Sequence, residues 1–172
     1  MDEKLRLAET VLRQGELRLN AQLTVALAGD SKAITLAGLF VTLALAALSG
    51  VAVLWTIGDQ KALTFGLIIE MILLLASAYL SLESASPADF YVSGNQPENW
   101  WSDNVEDKPL AECLKKESMN YQNRIEKNAL VMERSAVLFT CAMRMAILSP
   151  IAALAVYFSP VLFSLVAEAV AS

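Results

Sequence analysis

Three stretches of the chain are almost unbroken runs of apolar positions. Residues 33–57 carry no charge, 62–82 carry Glu70 alone, and 145–167 carry none but include Pro150 and Pro160. An apolar run of about 18 residues or more is long enough to cross a bilayer as a helix, which satisfies every backbone polar group within the segment. The pattern therefore predicts an all-α integral membrane protein with three transmembrane helices. Outside these runs the period changes. Leu5, Leu12, Leu19 and Ala26 recur every seven residues, with Ala8, Gly15 and Gln22 between them. Leu114, Tyr121, Ile125, Met132 and Phe139 follow the same rhythm, with Ser118, Asn128 and Ser135 in the row. Such spacing places one stripe on one helical face, and a period near 3.5 suits a supercoiled pair.

The two amphipathic stretches align at an offset of 106 residues: Arg18-Leu19 on Arg124-Ile125, Gln22 on Asn128, and Ala26 on Met132. Paired in parallel, they would set Gly15 level with Tyr121 and Gln22 level with Asn128, an amide pair able to fix register. The alternative is two unrelated helices that share a common periodicity.

Composition agrees with the membrane reading. Of 172 residues, 56% are hydrophobic, against roughly 45–50% in soluble domains, and the mean hydropathy is +0.48. Positive residues are retained on the cytoplasmic side of a membrane. Lys4, Arg6, Arg13, Arg18 and Lys32 precede the first run. Lys61 alone separates the first and second, near Gly58-Asp59-Gln60. Lys108, Lys115, Lys116, Arg124, Lys127, Arg134 and Arg144 separate the second and third, and none follows. The expected topology is N-terminus in and C-terminus out, in a multi-pass protein of the cell inner membrane. Its parts are a cytoplasmic helix over 1–32, a membrane hairpin over 33–82, a cytoplasmic aromatic loop over 83–109, a cytoplasmic helix over 110–144, and a third span with a short tail over 145–172. A second placement of the third span, 136–158, puts Arg144 inside the bilayer at a cost of at least about 2.5 kcal/mol. In the first placement Arg144 snorkels from the inner boundary.

Chemistry is sparse. The N-terminal segment is mixed in charge and unlike a secretory signal. With no histidine in the sequence, a haem or zinc site lacks its usual ligand. Cys113 and Cys141 are expected to be free thiols. Asp103, Glu106 and Asp107 suit the start of a helix, where the dipole favours negative charge. No phosphate-cradling loop, nucleophile elbow or Cys-x-x-Cys is present, so neither catalysis, a metal nor a cofactor is expected. Mixed charge without a basic cluster gives no support to nucleic-acid binding.

Polar and small residues within the runs are the remaining candidates. Gly38, Thr42, Ala46 and Gly50 place a small residue at every fourth position of the first span, a face that lets backbones approach closely. It would meet either the chain's own spans or another copy. Glu70, with Ser77 and Ser81 on nearly the same face of the second span, would line either a pore or the bundle interior. Glu70 would also be placed to pair with Arg144 if the third span began at 136. In the loop, Phe90, Tyr91, Trp100 and Trp101 would either grip a partner or nucleotide base or form an aromatic belt at the headgroups.

A helix, a tight membrane hairpin over 33–82, and a second helix with Tyr121, Arg124, Asn128 and Arg134 together resemble in outline the SLATT family of small bacterial membrane proteins. The third span is additional to that family's two. The resemblance covers roughly residues 5–134 and carries no motif, so it implies a class of role and no site residue. It implies an anti-phage defence effector that perforates the inner membrane when a nucleotide signal arrives. The expectation is thus a self-assembling, pore-forming or membrane-perturbing protein with lipids and its own copies as partners. A non-conducting docking subunit of a larger complex, with a protein partner at the aromatic loop, is the alternative. A phage holin fits the number of spans but not the long cytoplasmic segments.

Overall fold

The computed structural model describes residues 3–58, 60–94 and 108–171. Among them the chain is all-helical: α1 (Glu3–Ile57), α2 (Lys61–Ser84) and α3 (Leu110–Ala171). Each is long and apolar enough to cross a membrane.

The ends follow from local chemistry. The Gly58 N–H closes α1 by donating to the Leu54 carbonyl at 3.1 Å, with φ at +82°. That left-handed conformation falls to glycine because it lacks a Cβ. The Gln60 carbonyl opens α2 by accepting from both the backbone and the hydroxyl of Thr64 at 3.1 Å. Pro109 stands immediately before α3, where a missing N–H costs nothing, and its carbonyl takes the Glu112 N–H at 2.9 Å.

No break separates the amphipathic stretches from the apolar runs. The boundaries expected at 32/33 and 144/145 are changes of polarity inside single helices. Two prolines lie inside α3, and each frees the carbonyl four residues earlier. In both cases the serine just before the proline serves that carbonyl. Ser149 donates to Ala146 at 2.9 Å and Ser159 donates to Val156 at 2.8 Å. This is the repair that lets proline sit within a membrane helix.

The chain divides into two compact units. The first comprises residues 1–29 and 87–134, and its core is Leu19, Tyr121 and Ile125 with Leu12 against them. The second comprises residues 30–86 and 135–172. Its core is Phe40, Ala44, Leu74 and Ala78, packed by Leu36, Met71, Met143 and Ala146. Ala33, Ala37 and Ala47 are buried along the same face of α1.

The register within the second unit bears on the third span. Met143 and Ala146 lie at the level of Phe40, Ala44, Leu74 and Ala78, and the Ala153 carbonyl lies against Gly66. Residues 143–153 of α3 thus lie alongside the apolar runs of α1 and α2, a register compatible with the placement over 136–158. Arg144 is exposed and points away from the α1 and α2 core.

Candidate functional site

In the first unit, α1 and α3 run in parallel at the offset of 106. A Cβ on Gly15 would stand 3.1 Å from Tyr121 Cδ2, so the glycine makes room for the ring. Asn128 is fully buried, and its Nδ2 reaches Gln22 Oε1 at 3.4 Å. Gln22 itself donates to the Ile125 carbonyl at 3.1 Å. The amide pair exists, but its geometry is long, and Asn128 is chiefly committed elsewhere.

Its stronger bonds go to the loop. Asn128 Oδ1 accepts the Tyr91 N–H at 2.9 Å while Nδ2 donates to the Tyr91 carbonyl at 2.8 Å. One side-chain amide thus satisfies both polar groups of one residue, as a neighbouring strand would. Arg124 donates to the Gly94 carbonyl at 2.6 Å, and the Gly94 N–H donates to the Tyr121 hydroxyl at 3.0 Å. Ser93 adds a bond to Asn20 Oδ1 at 2.7 Å. Residues 91–94 form a strap held on α3 almost wholly through backbone atoms. Gly94 has φ +102°, which a side chain would disfavour. The Tyr91 ring stays exposed, with Lys127 Nζ 5.2 Å from its centroid. Phe90 is half-buried, while Trp100, Trp101, Asp103, Glu106 and Asp107 lie outside the described residues.

The Tyr121 hydroxyl sits among opposing influences. Burial raises its pKa above 10.0, the Gly94 N–H lowers it, Glu16 and Glu117 raise it, and Arg124, 5.4 Å from the ring centroid, lowers it. The net direction is up. A raised native pKa means that the fold favours the protonated phenol. The stability it contributes is complete below the unfolded value of 10.0 and is lost as pH rises through the native value. In an ultraviolet tyrosinate titration Tyr121→Phe should remove a component that ionises above 10.0. A titration curve whose late portion is unchanged in amplitude in the variant would contradict the assignment.

In the second unit the expected residues separate. Ser77 and Ser81 are fully buried, so they belong to the bundle interior of the single chain. Ser77 donates to the Leu73 carbonyl at 2.8 Å, while Ser81 Oγ has no hydrogen-bond partner among the described residues. Glu70 is half-buried and forms no ion pair with Arg144 among the described residues.

The four-residue small face also divides. Gly50 packs inside, where a Cβ would come 3.0 Å from Leu67 Cδ1. Gly38, Thr42 and Ala46 point away from the unit's core, and a Cβ on Gly38 would meet nothing within 4 Å. The Thr42 hydroxyl is spent on the Gly38 carbonyl at 2.9 Å. At the hairpin turn a cleft of about 290 Å³ is lined by Leu54, Trp55, Phe65 and Ile68, with Lys61 among its polar residues.

Sequence reasoning had placed Tyr121, Arg124 and Asn128 on the second amphipathic helix without foreseeing the strap. The available signal was an arginine and an asparagine at helical spacing around an apolar stripe, which need more hydrogen-bond partners than Gln22 can offer. No group of three or more metal-ligating side chains occurs among the described residues. No protein-family model, curated protein or solved structure matches this chain.

Proposed function

We propose that the protein is a non-enzymatic, multi-pass protein of the bacterial inner membrane, N-terminus in and C-terminus out, that self-assembles and perturbs or conducts across the membrane when triggered. The observation that carries this reading is the orientation of the first span. It buries Ala33, Ala37, Phe40, Ala44 and Ala47 in its own bundle and leaves Gly38, Thr42 and Ala46 outward. A small-residue face turned out of its own bundle suits close contact with another copy in lipid. The distribution of basic residues supports the topology, and the outline shared with SLATT proteins supports the class of role. The strapped helix pair of the first unit is the part we assign to receiving a trigger.

Induced expression in a bacterial host, followed with a membrane-potential dye, tests this. Depolarisation by the wild type, weakened by Gly38→Leu at equal membrane abundance, is expected. Depolarisation unaffected by Gly38→Leu would remove the first-span face from the account.

The second reading, a docking subunit, draws on Tyr91. Its backbone is gripped while its ring remains exposed, so the loop presents an aromatic side chain from a fixed position. A stoichiometric partner that co-purifies with the wild type and is lost with Tyr91→Ala would favour it.

A further inference from the structure

Arg144 stands on the outward side of α3. Ala142 and Ser149 are fully buried, while Val137, Thr140, Arg144, Leu148 and Ile151 recur at three- and four-residue spacing along an exposed face. Among the described residues Arg144 forms no hydrogen bond or ion pair. Its neighbours Met143 and Ala146 pack on the second unit's core, so the guanidinium side chain leaves the helix at the level of Phe40, Ala44, Leu74 and Ala78. Counted from residue 136, Arg144 is about 12 Å along the helix at 1.5 Å per residue. Half the hydrocarbon thickness of a bilayer is about 15 Å. Snorkelling carries a guanidinium only part of that distance.

A charged side chain at such depth is costly against lipid, and in membrane proteins it faces either the bundle interior or a water-filled cavity. The single chain's own interior lies on the opposite side of α3. An aqueous path between copies is what remains. We propose that Arg144 lines a water-filled path formed between copies of this chain and makes that path selective for small inorganic anions. The proposal rests on the self-assembly reading above and deepens it by naming the class of ion. Rings of arginine or lysine select anions in pores. Thr140 shares the exposed row, but its hydroxyl proton is spent on the Ala136 carbonyl at 2.7 Å. Val137, Leu148 and Ile151 are apolar. Arg144 is thus the charge-bearing level of the row.

Full-length protein reconstituted in a planar bilayer under a potassium chloride gradient tests the proposal through the reversal potential. The wild type should reverse near the chloride equilibrium potential, and Arg144→Lys should retain that preference. Arg144→Gln should move the reversal potential towards zero, and Arg144→Glu should change its sign. Comparable crosslinked assembly in native membranes controls for folding of each variant. Conductance with a reversal potential unchanged in Arg144→Gln and Arg144→Glu would overturn this inference alone and assign Arg144 to lipid headgroups. Absence of conductance from assembled wild-type protein would overturn the conducting role and this inference together.

Discussion

Asn128→Leu is expected to detach residues 91–94 from α3 while leaving the helix pair in place. The leucine retains bulk beside Ile125 but removes both bonds to Tyr91, at 2.9 and 2.8 Å, and the longer one to Gln22. A buried backbone group that loses its partner costs about 1–3 kcal/mol. The Tyr91 groups are only partly buried, so water recovers some of that loss. A net cost of about 2 kcal/mol is expected, which corresponds to roughly 30-fold faster hydrogen exchange at the Tyr91 amide. Tyr121→Phe removes the single bond to the Gly94 N–H, so its effect should be smaller and centred on Gly94. If the Tyr91 amide stayed equally protected in Asn128→Leu, the strap would have to be held by something other than this grip.

Gly66→Leu is expected to have the second large effect, in the second unit. A Cβ at Gly66 would lie 2.8 Å from the Ala153 carbonyl oxygen. That atom is helix backbone and cannot swing aside, so α2 and α3 must separate. Overpacking of this kind costs about 1–3 kcal/mol, and even Gly66→Ala should lower the thermal midpoint in detergent. Gly38→Ala is the matched control, since its new methyl would meet nothing within 4 Å of the same chain. Equal stability of Gly66→Ala and Gly38→Ala would contradict the packing of α2 against α3.

The contrast between these two glycines shows what the sequence made legible. Gly38 stood out because Thr42, Ala46 and Gly50 repeat its spacing. Spacing identifies a face but not the direction in which it points. Phe40 and the alanines at 33, 37, 44 and 47 occupy the buried side of α1, and only packing against α2 and α3 reveals that choice. Gly66 has no such repeat, and its role appears only once the Ala153 carbonyl is beside it.

The helices and the offset of 106 were legible for a physical reason. Both depend on periodic burial of large apolar side chains, and Leu19, Tyr121 and Ile125 form the core that their periodicity implies. The strap was not legible, because α3 holds residues 91–94 through main-chain atoms that carry no sequence signature. A charge in an apolar run reads as a boundary, yet an outward arginine leaves the buried side of α3, with Ala142 and Ser149, free to pack. Continuity of α1 through position 33 was hidden for a related reason. A change from mixed to apolar composition alters what surrounds a helix and leaves its backbone hydrogen bonds intact.

The central claim is that copies of this chain meet through the outward face of the first span, and disulfide trapping in native membranes tests it most directly. With Cys113 and Cys141, the two free cysteines, replaced by serine, single cysteines are introduced at Thr42 and at Ala44. Thr42 is exposed and Ala44 is 2% exposed. The account predicts that mild oxidation yields a disulfide-linked dimer from Thr42→Cys and none from Ala44→Cys. Monomer from both, or equal dimer from both, would contradict it.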